Sequence, residues 1–162
     1  MAAASPGPNG LKGLEARARR LRSPLLLALW ALLAFEALGG FVLFTARLVS
    51  GASPGEAAHV AGGVALTALY AVYQFQHWRR VSPFRPQLHY GLGLIAAIFM
   101  ALVNLSGLWL ATFWWRERIA APGTAPVRYP ALLSGAHNVT SMVVLTFVLA
   151  HLGAVLFRSR ER

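Results

Sequence analysis

The sequence predicts an all-α membrane protein, a four-helix transmembrane bundle. Three observations lead there. The chain of 162 residues is 57% hydrophobic and only 12% charged, with no aspartate. Four apolar segments each reach the roughly 20 helical residues needed to cross a hydrocarbon core. Those segments also lack the Lys/Glu faces that a soluble bundle turns to water.

The elements follow in order. Met1–Asn9 is rich in Gly, Pro and Ser, and residues 1–23 make a basic N-terminal segment carrying Lys12, Arg17, Arg19, Arg20 and Arg22. Its Lys12–Arg22 run suits an amphipathic helix on a membrane surface. The first span, Pro24–Val49, is too long and too late for a cleaved signal peptide, and no Ala-x-Ala site follows it. The chain is therefore expected to be retained whole, with one membrane domain over 24–157. Gly51, Pro54 and Gly55 make Ser50–Gly55 a short outer turn before the second span, Glu56–His77. Pro83 and Pro86 make Arg79–Gln87 a tight inner connection to the third, Leu88–Trp114. Pro122, Gly123 and Pro126 mark Arg116–Arg128 as the longest outer loop, before the fourth span, Tyr129–Phe157, and a basic tail at 158–162. Trp78, Trp109, Trp114 and Trp115 fall near the expected interfaces, where indole rings favour the headgroup zone.

Charge sets the expected orientation. Eleven basic residues lie before the first span, in the second connection and after the fourth span; Arg47, Arg116, Arg118 and Arg128 lie on the other side. The positive-inside rule puts both termini in the cytoplasm. The formal charge of +10 then reads as topology and as attraction to anionic lipid. It does not read as nucleic-acid binding, because no basic domain stands apart from the Lys12–Arg22 run.

The chemistry concentrates in five histidines, His59, His77, His89, His137 and His151, in a chain without cysteine. All lie within or at the ends of apolar segments, where ionisable groups are costly and usually functional. His137 and His151 are about four helical turns apart, on nearly one face and separated by roughly 21 Å. That arrangement suits two metal centres, one near each side of a bilayer, with neutral imidazole as ligand. Without thiolates the chain itself can hold neither an iron–sulfur cluster nor a thioether-linked haem. A faint internal repeat accompanies the histidines. Leu38-Gly39-Gly40-Phe41 in the first span parallels Leu105-Ser106-Gly107-Leu108 in the third, and each precedes a helix that begins near a histidine, His59 or His137. Two helix pairs related by an axis along the membrane normal would set those two histidines at one outer depth. Glu36 falls mid-membrane, where a carboxylate must be protonated or paired. It is a candidate for a proton or quinone site, or for structural bonding to a group such as Asn104.

His59 and His77 on the second span, His137 and His151 on the fourth and the glycines around them resemble the four-helix di-haem cytochromes b. These include the membrane subunits of formate dehydrogenases and Ni–Fe hydrogenases and related short bacterial b-type cytochromes. The resemblance covers about Pro24–Phe157. It implies two haem b groups in a bacterial inner membrane, a quinone pool and a redox partner subunit or cytochrome on the periplasmic side. His59 and His137 would ligate the outer haem. His151 would ligate the inner one with His77, or with the rival His89. The family pattern expects the second-helix ligand fourteen residues after His59, where this chain has Tyr73; His77 comes one turn later. Gly62, Gly63, Gly107 and Gly135 would admit a flat porphyrin or allow close helix packing. Arg47, Arg79 and Arg80 would meet propionates or mark topology.

No nucleotide loop, thiolate cluster or soluble catalytic module is recognisable. The expected role is therefore electron transfer within a respiratory oxidoreductase complex. The competing expectation is a haem-free four-span assembly, anchoring or small-transport subunit, in which the histidines pack or relay protons.

Overall fold

The computed structural model describes residues 23–81, 88–121, 123 and 128–157, with side chains at 80, 81, 88, 89 and 155–157 outside the description. The Lys12–Arg22 run, most of the Arg79–Gln87 connection, the tail at 158–162 and the side chains of His89 and Arg80 thus lie outside the described residues. Four helices form: α1 (Pro24–Ser50), α2 (Glu56–Val81), α3 (Leu88–Ile119) and α4 (Ala131–Phe157).

Local chemistry sets the helix ends. Ser23 caps α1, its hydroxyl accepting from the Leu26 N–H at 3.3 Å, and Pro24 occupies the first turn, where its missing N–H costs nothing. At the other end Gly51 takes φ 71°, a left-handed conformation suited to glycine, and its N–H returns to the Arg47 carbonyl at 3.1 Å. Glu56 supplies a negative charge to the first turn of α2. Four boundaries differ from the sequence expectation, that of α1 by one residue, Ser50 in place of Val49. α2 runs on to Val81 and α3 to Ile119, because Trp78-Arg79 and Arg116-Glu117-Arg118 are helix-compatible despite their charge. α4 starts at Ala131 rather than Tyr129, since the residue before Pro130 is driven out of the helical region.

The helices pack as two antiparallel hairpins. In one, Glu36 and Gly40 of α1 lie opposite Gly62 and His59 of α2. In the other, Phe99 and Phe147 stack at 5.7 Å between α3 and α4. The buried core is small: Leu29, Leu43, Leu66, Ala96, Met100 and Val144. Large apolar side chains instead face outward, with Leu48 75% and Leu132 87% exposed. In water such a surface would aggregate; in lipid it is the outer wall. Hydroxyls on the helices are satisfied within them, as Thr45 donates to the Phe41 carbonyl at 2.9 Å and Thr67 to Gly63 at 2.8 Å.

Three helices, over Pro24–Ser50, Tyr90–Ile119 and Ala131–Ala154, are long and apolar enough to cross a bilayer. These are the features of a membrane protein. α2 has the length, but its Glu56, His59, Gln74, Gln76, His77 and Arg79 lower its mean hydropathy below that of the other three. Of these, Glu56 and His59 line the cavity described below, and His77 meets His151.

Candidate cofactor site

The repeat seen in the sequence has a structural counterpart. His59 of α2 lies on Gly40 of α1, where an added methyl would sit 3.3 Å from its Cε1. His137 of α4 lies on Gly107 of α3 in the same way, at 3.0 Å. Each imidazole uses the missing side chain of a glycine as its seat, so both rings approach a neighbouring backbone closely.

Both rings are held through Nδ1. Ser106 donates its hydroxyl proton to the Val103 carbonyl at 3.0 Å, and the same oxygen lies 3.0 Å from His137 Nδ1. A hydroxyl has one proton to give, so toward His137 it accepts, and Nδ1 carries the hydrogen. In the other hairpin the position matching Ser106 is Gly39, which offers no side chain. Glu36, one turn earlier, takes its place: its Oε2 lies 2.8 Å from His59 Nδ1. This contact is an ion pair by distance rather than an aligned hydrogen bond, and Oε1 of Glu36 has no partner among the described residues. Beside a carboxylate Nδ1 keeps its proton. With Nδ1 turned to Ser106 in one ring and to Glu36 in the other, Nε2 is the nitrogen left to bind a metal; His137 also makes a hydrogen bond to the Val103 backbone.

His59 and His137 line one cavity of about 540 Å³ between all four helices, within the roughly 300–1,000 Å³ of cofactor pockets. Its wall includes Glu36, Arg47, Gly63, Gly107, Thr67 and Asn104. Four of these were candidate site residues from the sequence. Gly62 faces Glu36 so closely that an added methyl would fall 2.1 Å from its Oε1.

Polar groups close the end of the cavity near the α1–α2 turn. Arg47 pairs with Glu56, donates to Ser53 Oγ at 2.8 Å, and lies over the Tyr129 ring, 5.2 Å from its centre. Tyr129 donates to Glu56 Oε1 at 3.1 Å, tying the second hairpin to the first. Burial, followed by the charge and hydrogen bond of Glu56, pushes the Tyr129 phenol up to about 12. Arg47, expected from the resemblance to meet a propionate, is here satisfied by Glu56 and Ser53.

A second imidazole pair forms near the opposite end of the bundle. The rings of His77 and His151 are 6.4 Å apart, centre to centre, with their planes at 89°. Two metal–imidazole bonds of about 2 Å each, plus roughly 1 Å from each nitrogen to its ring centre, span about 6 Å. Tyr73, which stands where the family pattern expects a ligand, stacks on His77 at 5.3 Å, its hydroxyl 3.4 Å from Nδ1. His151 rests on Gly93, where a methyl would lie 2.8 Å from its Cε1.

The sequence reading missed Gly93, Ser106 and the Arg47–Glu56–Tyr129 cluster as site elements. Gly93 had a readable signal: fourteen residues separate it from Gly107, as fourteen separate His137 from His151. Gly135, named as a possible porphyrin neighbour, would meet nothing within 4 Å. Among the described residues no three His, Asp or Glu side chains gather as a metal site. Comparison with protein-family models, curated proteins and solved structures returns no match. What fold and site define is a helical membrane bundle with two imidazole pairs, one of them facing an internal cavity.

Proposed function

We propose that this chain is a membrane electron-transfer subunit that holds two haem b groups and links a quinone pool to a redox partner protein. One observation carries the reading: His59 and His137 come from different hairpins, turn Nδ1 toward Glu36 and Ser106 respectively, and line one cavity of about 540 Å³. A pair of histidines that merely packed would bond through both nitrogens or point to the interface.

The residues fit the group. Gly40 and Gly107 seat the outer ligands, and Gly63 keeps the cavity wall low. His77 and His151, at a spacing suited to two axial bonds, form the inner pair. His77 is preferred over His89 because its ring meets His151. The group supplies a one-electron couple when bound. The chain lines the cavity mainly with apolar side chains, and the His59–His137 and His77–His151 rings would hold the two groups. Glu36 faces His59 and not the lipid, which favours a role on the ligand over one on quinone.

The orientation that goes with this reading has both termini in the cytoplasm of a bacterial inner membrane. The His59–His137 pair is then near the periplasmic side, where a partner protein would dock. The visible spectrum of the purified protein tests the proposal. Sharp reduced b-type bands, with two haems per chain, are expected. A colourless protein that stays colourless when haem is supplied would leave the haem-free assembly, anchoring or transport reading. Haem that a quinol analogue never reduces in membranes would remove the quinone link alone.

A further inference from the structure

The two ligands of the outer pair have unlike partners, and the difference is one of charge. Ser106 offers His137 a neutral oxygen; Glu36 offers His59 a carboxylate. The carboxylate belongs to this contact by construction. Its side chain is only 11% exposed, it sits on Gly62 with no room for a methyl between, and its second oxygen has no other partner among the described residues. A buried carboxylate is expensive unless something holds it, and within its reach the group present is the His59 ring. Arg47, the nearest arginine along the same helix, is engaged by Glu56 and Ser53.

We infer that Glu36 is the positioning residue of His59: it fixes the ring with Nε2 toward the cavity and, through Nδ1, makes His59 the stronger electron donor of the two axial ligands. This rests on the haem reading above. A negative partner on the far nitrogen raises the basicity of the ligating one. A more basic axial ligand stabilises the oxidised metal over the reduced one, and a charge beside the far nitrogen of a ligand is one means by which a protein sets a haem potential. Ser106 orients His137 without adding charge. The outer centre therefore carries one electron-rich and one ordinary imidazole, and its potential is set mainly from the α1 side.

The test compares the wild-type chain with Glu36→Gln and Ser106→Ala, each purified full-length in detergent. Glu36→Gln keeps an acceptor oxygen near Nδ1 and removes the charge. It should retain haem and shift the outer centre toward the reduced form by about ten-fold at fixed ambient potential, about 59 mV for a one-electron couple. Ser106→Ala should shift it less. A second measurement does not need haem: nitrogen NMR of histidine-labelled protein should report Nδ1–H for His59 in the wild type and a mixed tautomer in Glu36→Leu. An outer potential unchanged in Glu36→Gln, or a His59 tautomer indifferent to Glu36→Leu, overturns the inference. A wild-type protein that takes up no haem overturns the proposed function instead, and the tautomer measurement then decides the role of Glu36 alone.

Discussion

The hydroxyl of Ser106 on α3 and Nδ1 of His137 on α4 meet at 3.0 Å, and because that hydroxyl already gives its proton to Val103, it can only accept from the ring. With Nδ1 engaged there, Nε2 is the nitrogen left to face the cavity. Ser106→Ala should leave the bundle folded, at a cost of about 1 kcal/mol for the lost hydrogen bond. It should also broaden the axial-ligand signals of the outer haem in low-temperature spin resonance. Unchanged signals would mean that helix packing alone orients the ring.

Ligand removal should separate the two pairs. His59→Ala and His137→Ala should each lower the haem stoichiometry by one and leave the inner haem spectrally intact. His151→Ala and His77→Ala should do the converse. Pyridine haemochrome assays on the four variants give the count. Loss of the inner haem in His89→Ala, with retention in His77→Ala, would reassign the ligand.

The glycine seats predict a steric series. A methyl at Gly93 would lie 2.8 Å from His151 Cε1, and one at Gly107 3.0 Å from His137 Cε1, whereas Gly135 and Gly153 have open space. Gly93→Ala and Gly107→Ala should each displace a histidine ring and cost about 1–3 kcal/mol. Gly135→Ala should be neutral or slightly stabilising, since alanine is the better helix former. Thermal unfolding in detergent ranks them.

Tyr129 predicts an alkaline transition outside the membrane spans. Its phenol is held up to about 12 against an ordinary value of 10.0, by burial first and then by Glu56. The unfolded chain would ionise first. Stability from this group is therefore intact below about pH 10 and is lost as pH rises toward about 12. The difference in phenolate absorbance between the wild type and Tyr129→Phe should show Tyr129 titrating late, and Glu56→Gln should lower that titration toward 10. A tyrosine that already titrates at its ordinary value would argue against the Arg47–Glu56–Tyr129 cluster.

Topology can be read from cysteine placement, since the natural chain has none. A cysteine at Thr124 should label from outside intact cells and one at Ser5 should not. The opposite pattern would invert the bundle and move the His59–His137 pair to the cytoplasmic side.

The helices were legible because apolar runs of more than twenty residues have few alternatives, and their breakers are explicit at Gly51, Pro54 and Gly55; Pro130, read as part of the fourth span, was the breaker overlooked. The shared face of His137 and His151 was legible because helical spacing is arithmetic. The pairing of Gly40 with His59 and of Gly107 with His137 was foreshadowed by the repeat. What was hidden lies between helices. Glu36 read as a lone intramembrane acid because its partner is on another helix, and a single sequence gives no interhelical register. Ser106 stood out only as part of the repeat for the same reason. The polar composition of α2 was visible, but not that Glu56 and His59 line the cavity between the helices.

The matching fourteen-residue intervals on α3 and α4 have a consequence for how such a bundle can change. Fourteen residues are about four helical turns, so on each of these two helices the two positions keep nearly one face. A single inserted residue between Gly93 and Gly107 would rotate one seat by about 100° and strand its histidine. A heptad inserted into both helices would instead carry Gly93 and His151 together about 10 Å further from Gly107 and His137, leaving behind His77, which stands eighteen residues from His59 on α2. Seat and ring are therefore free to move as a unit along α3 and α4, while the partner ring is metered by an interval of its own.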